Sequence, residues 1–220
     1  MTFASDRRAR LARARLYLVT EAATDPAVLR AALEGGVDML QLRDAAAGDE
    51  ELLRAAAVFR SVCDEHDALF WLNDRPDLAI RAEADGVHVG QDDMPVGQAR
   101  ELVGHDVLIG LSTHSPEQLE AGIAAGADQL SVGPVWETPT KPGRPAVGLD
   151  YVRHAARSKP PMPWFAIGGI DAQNVREVAA AGAERAVIVR AIRDAQDPRA
   201  AAAELRSVLT QGRSSVGAPQ

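Results

Sequence analysis

The chain holds a single cysteine, Cys63, which excludes an internal disulfide and a CxxC metal site. A lone cysteine of this kind reads as a small, half-buried helix residue. Aromatic side chains are scarce at 4%, so the 46% hydrophobic content is carried mostly by Ala, Val, Leu and Ile. That content is too high for a disordered chain, which needs low hydrophobicity together with high net charge. Gly and Pro stay near ordinary usage, which excludes collagen-like and low-complexity proteins. No apolar run approaches the ~20 residues needed to cross a bilayer. Positive charge is not in excess either: 24 Lys+Arg face 31 Asp+Glu, a net −7. That balance disfavours nonspecific binding to nucleic acid or an anionic membrane, although a local basic site can still hold phosphate. Met1 to Arg15 is rich in arginine but has no hydrophobic segment and no serine enrichment. It reads as a short solvated lead-in helix rather than a secretory signal or transit peptide, and the expected location is cytoplasmic.

What is present is a regular alternation. Short apolar runs recur at Leu16–Val19, Met39–Leu42, Leu69–Leu72, Gly86–Val89, Val107–Gly110, Gln129–Val132, Trp164–Ile167 and Ala186–Val189. Each is too short for a helix and reads as a strand buried on both faces, as in a parallel sheet. Between them lie Ala-rich stretches at helical spacing: Pro26–Leu33, Asp49–Glu65, Val96–Leu102, Pro116–Ala124, Asn174–Ala180 and Pro198–Leu209. Ser115-Pro116 and Asp197-Pro198 are helix-start signals. A junction of Gly, small residue and acid precedes several strands, at Gly36-Val37-Asp38, Gly126-Ala127-Asp128 and Gly182-Ala183-Glu184, with Ala84-Asp85-Gly86 a looser variant. The glycine ends a helix in the left-handed conformation and the chain turns into the next strand. Eight strands alternating with helices in this length predict one (β/α)8 TIM barrel over residues 1–211, with 212–220 a disordered tail. A doubly wound open sheet is the competitor, but Thr20-Glu21-Ala22-Ala23 after the first strand is not the Gly-rich turn it needs.

Barrel enzymes build their sites at the C-terminal ends of the strands. Those positions here read Gln41-Leu42-Arg43-Asp44, Asn73-Asp74-Arg75, Gly90-Gln91-Asp92-Asp93, Gly110-Leu111-Ser112-Thr113-His114, a Pro/Gly loop from Gly133 to Gly148, Gly168-Gly169 and Val189-Arg190. Asp74 and Asp93 end adjacent strands, where two carboxylates can share a hard cation with substrate phosphate and water, the usual Mg2+ arrangement. Arg43 and Lys141 are cations suited to a diphosphate. Gly168-Gly169 and Val189-Arg190 offer backbone N–H groups where barrels often hold a phosphate. Singly, each is an ordinary turn, cap or solvated residue. His88 reads as a hydrogen-bonded core histidine, and His66, His105 and His154 as surface. His114 is ambiguous. The signal lies in the joint placement on one face.

The set Gln41-Leu42-Arg43, Asn73-Asp74-Arg75, Gly86 to Asp93, Gly110 to His114, Gly133-Pro134, Thr138-Pro139-Thr140-Lys141 and Ala166 to Ile170 resembles the thiamine phosphate synthase family, in family order from about Leu16 to Leu209. Members join hydroxymethylpyrimidine diphosphate to a thiazole phosphate and release pyrophosphate. The resemblance implies one Mg2+ per subunit on Asp74 and Asp93. It implies contacts from Gln41, Arg43, Asn73, Ser112 and Lys141 to the pyrimidine diphosphate, with Arg43, Ser112 and Lys141 the catalytic set. Thr138, Pro139, Thr140, Gly169, Val189 and Arg190 are implied to contact the thiazole phosphate. The expected partners are small phosphorylated molecules, with no nucleic acid and no membrane; homo-oligomerisation stays open.

One departure stands out. The family motif carries Lys two residues after its Arg, and here that position is Ala45, so Arg75 or Arg144 is left to supply the charge from a neighbouring loop. Two other readings stay open. One is a thiazole tautomerase of the same superfamily, using His114 as acid and base without metal. The other is a phosphate-ligand sensor without turnover.

Overall fold

The computed structural model describes residues 3–138 and 145–211. Eight parallel strands close on themselves in sequence order: β1 (Leu16–Thr20), β2 (Met39–Leu42), β3 (Leu69–Asn73), β4 (Gly86–Val89), β5 (Leu108–Thr113), β6 (Gln129–Val132), β7 (Trp164–Ile167) and β8 (Ala186–Val187). Leu16 pairs with Ala186 and Tyr17 with Val187, which closes the cylinder and excludes the open doubly wound sheet. The helices are α1 (Phe3–Arg13), α2 (Pro26–Glu34), α3 (Asp49–Glu65), α4 (Pro76–Ala79), α5 (Val96–Val103), α6 (Pro116–Ala124), α7 (Gly148–Ser158), α8 (Val175–Ala180), α9 (Arg190–Arg193) and α10 (Pro198–Gln211). Among the described residues no helix is long and apolar enough to cross a membrane.

The strands are apolar throughout because both of their faces are buried, each in a different core. Outward residues such as Leu18, Leu40, Phe70, Val87, Ile109 and Leu130 pack under the helices. Inward residues Tyr17, Met39, Leu69, Trp71, Leu108, Phe165 and Val187 fill the cylinder. A period of two thus divides each strand between two apolar compartments. Gly86 is part of this packing: a Cβ there would stand 2.7 Å from the Trp71 ring, so only glycine lets the indole cross the interior.

The N-terminal end of the barrel is closed by α1, and here the expectation of a solvated lead-in helix is corrected. Leu11 is 2% exposed and joins the inner core together with Ala14. Arg7 pairs with Asp85 at 2.8 Å and Arg8 with Asp128 at 3.0 Å. The helix is held because its apolar stripe plugs an otherwise open core and its arginines meet buried acids.

Those acids are the ones in the Gly–small–acid junctions. The Asp38 carboxylate accepts from Arg15 N and Leu16 N, Asp85 from Phe70 N, and Asp128 from Ile109 N. The aspartates preceding β2, β4 and β6 therefore cap the starts of β1, β3 and β5. Arginines then neutralise them: Arg206 on Asp38, Arg60 on Asp85, Arg100 on Asp128, and Arg15 on Glu184.

Four further differences from the sequence reading have local causes. The fifth strand runs on to Thr113 instead of ending at Gly110, because Ser112 and Thr113 pair with Ser131 and Val132. The eighth stops at Val187 instead of Val189, where the backbone breaks from extended geometry (Val189 φ −104°, ψ −88°). Helices α4, α7 and α9 were not anticipated; α7 is largely polar in sequence, yet it buries Tyr151, Val152 and Ala155. Cys63 is fully buried on α3 rather than half-buried. The 212–220 tail lies outside the described residues.

Candidate active site

At the C-terminal ends of the strands a cavity of about 350 Å3 opens. Its wall includes Gln41 and Arg43 from the end of β2, Asn73 from β3, and Ser112 from β5. It also includes Thr138, Gly169, Val189 and Arg190 from the segments after β6, β7 and β8. Pro139, Thr140 and Lys141 lie outside the described residues, as does Arg144. Asp74 and Asp93 are not in the wall, but Asp74 follows Asn73 directly and its Oδ2 stands 3.5 Å from Arg43 Nη1.

Tyr17, Val19, His88, Ser131, Ile170, Asp171, Ala191 and Asp194 also line the cavity and were not named as site residues, and so does His114, the acid and base of the tautomerase reading. The inward residues Tyr17, Val19, His88 and Ser131 looked like core in the sequence. Only the strand register, with side chains at i and i+2 facing inward, tells them apart from the outward set. His66 and His154 are partly exposed and His105 is exposed, away from the cavity.

The polar groups hold one another in place. Arg43 Nη1 donates to Asn73 Oδ1 at 2.9 Å. Gln41 Nε2 donates to the Tyr17 hydroxyl at 2.5 Å, and burial pushes that phenol above its ordinary pKa, so it stays protonated. Ser112 lies in the hydrogen-bonded body of β5, with its hydroxyl 2.9 Å from His88 Nε2 and its carbonyl accepting from Gln91 Nε2 at 2.7 Å. His114 Nδ1 is held on the Gly133 carbonyl at 2.5 Å. These are fixed rather than wandering polar groups, the condition for electrostatic preorganisation.

Gly168 and Gly169 take φ of +107° and +65°, and a Cβ on either would strike the segment after β6: Pro134 Cα at 2.5 Å and Trp136 Cβ at 2.8 Å. Val135 N and Trp136 N donate to Ile167 O and Gly168 O, so the two loops run together along the mouth. Asn174 Nδ2 donates to Gly169 O at 2.8 Å and sets the glycine loop from below.

For a cation, the chain offers the two carboxylates at the ends of β3 and β4. Asp74 sits at φ +56°, a left-handed position that Asp tolerates, and Asp93 Oδ2 accepts from Gly90 N at 2.7 Å. Among the described residues no group of three or more His, Cys, Asp or Glu can hold a metal. A two-carboxylate, all-oxygen set fits Mg2+ completed by substrate phosphate and water, not a closed protein cage. Arg75 is not free to replace the missing lysine: it grips Asp77 through two nitrogens (2.9 and 2.6 Å) and Asp49 through a third (2.7 Å). Ala45 is exposed, two residues after Arg43 in the chain. Cys63 is no nucleophile, since burial pushes its thiol up to about 12.

A closed parallel barrel with a preorganised polar cavity at the strand C-termini defines a (β/α)8-barrel enzyme. Residues 16–192 match the family model described as thiamine monophosphate synthase, and the chain belongs to that family. It is 54% identical to the thiamine-phosphate synthase of Acidothermus cellulolyticus, across 92% of this chain and 98% of that protein. It is 50% identical to the thiamine-phosphate synthase of Mycobacterium leprae, across 91% and 93%. Among solved structures, thiamine phosphate pyrophosphorylase from Pyrococcus furiosus superposes with a TM-score of 0.82 at 33% identity, covering 93% of this chain and 98% of that one.

Proposed function

We propose that the chain is a thiamine phosphate synthase, condensing hydroxymethylpyrimidine diphosphate with hydroxyethylthiazole phosphate to thiamine phosphate and pyrophosphate. The observation that carries this reading is one cavity lined both by Gln41, Arg43, Asn73 and Ser112 and by Thr138, Gly169, Val189 and Arg190. We read this lining as two anion subsites that share one cavity. Arg43, Asn73, Ser112 and Gln41 bind the pyrimidine diphosphate. Thr138, Gly169 and the Val189–Arg190 backbone take the thiazole phosphate, together with Pro139 and Thr140.

The methylene C–O bond breaks with its electron pair leaving on pyrophosphate, and positive charge spreads into the aminopyrimidine. The thiazole nitrogen then forms the new C–N bond at that carbon. Arg43, joined by Lys141, stabilises the departing oxygens, and its bond to Asn73 keeps the guanidinium from reorganising as charge develops. Holding both partners in one cavity turns the second step into an encounter at fixed distance. No protein nucleophile takes part. Asp74 and Asp93 would hold Mg2+, which when bound neutralises charge on the diphosphate.

The test is pyrophosphate release from the two substrates by the purified protein. Release is expected to require Mg2+, to stop with excess chelator, and to fall by at least about 10²-fold in Asp93→Ala. Full activity in that variant removes Asp93 from the metal set. Tautomerisation of a thiazole phosphate without metal, and no pyrophosphate release, supports the isomerase in place of the synthase.

Because Arg75 is already paired and Ala45 is exposed, Ala45→Lys adds a cation to the diphosphate subsite. It is expected to lower KM for the pyrimidine diphosphate by about 2–5-fold, the effect of one exposed ion pair. Steady-state kinetics decides, and an unchanged or raised KM counts against a missing contact.

A further inference from the structure

We infer that one side of the cavity wall, formed by Val19, Ile167, Val187 and Val189, denies water a place beside the reacting carbon and so selects the thiazole nitrogen over water as nucleophile. The inference rests on the synthase reading above and adds to it the residues that decide where the cationic carbon goes.

Every strand of the barrel turns a side chain into the cavity. From β2 to β6 these are Gln41, Asn73, His88, Ser112 and Ser131, all polar. From β7, β8 and β1 they are Ile167, Val187, and Tyr17 with Val19. Val187 pairs with Ile167 on one side and with Tyr17 on the other, so these three strands are neighbours across the closure of the barrel. The wall therefore divides into one continuous polar arc and one continuous apolar arc. Val189, just beyond β8, extends the apolar side.

Val19, Val187 and Tyr17 belong to the inner core, which includes Phe165 and, at the plugged end, Leu11; Ile167 and Val189 pack against it. An ordered water needs about two to four polar partners, and a purely apolar surface stays dry. The polar atom of this arc, the Tyr17 hydroxyl, is engaged by Gln41 Nε2 at 2.5 Å. Two acids line the cavity from the segments after β7 and β8, and both are engaged as well. Asp171 Oδ1 accepts from Gln173 N and Asn174 N, and Asp194 holds Arg193 at 2.6 and 3.1 Å.

The division matters because the carbon left by pyrophosphate accepts any electron pair within reach. Attack by the thiazole nitrogen forms the C–N bond of thiamine phosphate. Attack by water forms a C–O bond instead, releases a proton to solvent and yields the pyrimidine alcohol. On the reading above, the diphosphate lies against the polar arc, and Gly169 with the Val189–Arg190 backbone brings the thiazole in from the apolar side. The new bond then forms over hydrocarbon. Val19, Ile167 and Val187 are not catalytic residues; they act by what they keep out, and their signature is product partition rather than rate.

The test supplies the full chain with Mg2+, both substrates and water labelled with the heavy oxygen isotope, and counts alcohol and thiamine phosphate by mass spectrometry. The wild type is expected to form less than about one alcohol per hundred couplings. Val19→Ser and Val187→Ser each put a hydroxyl where hydrocarbon stood, and each is expected to raise the alcohol share about tenfold, the worth of one hydrogen bond to a trapped water. The label is expected in that alcohol, because water adds to carbon. Val19→Ala makes room without adding a polar partner and is expected to stay near wild type.

A wild-type alcohol share above about one in ten overturns the inference without any variant. An unchanged share in both serine variants overturns it, and so does an equal rise in Val19→Ala, which would assign the effect to lost packing. Unlabelled alcohol also overturns it, since that comes from attack at phosphorus. If the wild type releases no pyrophosphate from the two substrates, the synthase reading fails and takes the inference with it. Normal coupling with any of the other adverse results removes the inference alone.

Discussion

Arg43→Ala is expected to lower kcat for pyrophosphate release by about 10²–10³-fold while leaving KM for the thiazole phosphate within about twofold. Arg43 stands immediately after β2, with its side chain 22% exposed and one nitrogen committed to Asn73. Its charge is shielded from bulk water, so it acts on the leaving group at low effective dielectric. That charge matters most when the leaving oxygens are most negative, in the transition state, and the loss therefore falls on kcat rather than on ground-state binding. Arg43→Lys keeps the charge but not the planar fork that bonds Asn73, and an intermediate loss is expected. Pre-steady-state measurement of pyrophosphate formation separates chemistry from product release. A variant whose chemical step is as fast as wild type would sink the role given to Arg43.

The second large effect lies at the other end of the barrel. Asp85→Ala is expected to destabilise the fold by about 3–5 kcal/mol, the range for removing one partner of a buried ion pair. Asp85 is 4% exposed and receives Arg7 at 2.8 Å, Arg60 at 2.7 Å and the Phe70 backbone N–H at 2.9 Å. Removing the carboxylate leaves two guanidinium groups facing each other and an amide without its acceptor. It also loosens α1, which brings Arg7 to the site. At about 2–4 °C per kcal/mol for a chain of this size, the midpoint falls by about 6–20 °C. Asp85→Asn retains an acceptor for Phe70 and is expected to lose less. Urea unfolding measures both, and a loss under about 1 kcal/mol for Asp85→Ala would show that water replaces the acid without penalty. Activity well below the midpoint is expected to stay near wild type, since the cavity is at the opposite face.

The contrast between these two residues shows what a sequence exposes. Arg43 was legible because a charged group directly after an apolar run stands out. Asp85 was visible only as part of a recurring helix-to-strand junction. Its carboxylate proved to cap the neighbouring strand and anchor the N-terminal helix, a use that depends on residues 15 and 78 positions away. The helix α7 escaped notice because its apolar positions are few and its burial comes from packing on β6 and α6.

Scarcity of aromatics and cysteine, short apolar runs and Ala-rich spacers by themselves determined an eight-stranded parallel barrel and the face that carries its chemistry. They did so because burial on both strand faces and helical periodicity are local signals. Which inward residue meets which was decided only by tertiary structure. His88, Gly110 and Gln129 are separated by 22 and 19 residues in the chain, yet share one layer because barrel closure and register put them there. Pairwise geometry across strands has no signature in a linear sequence.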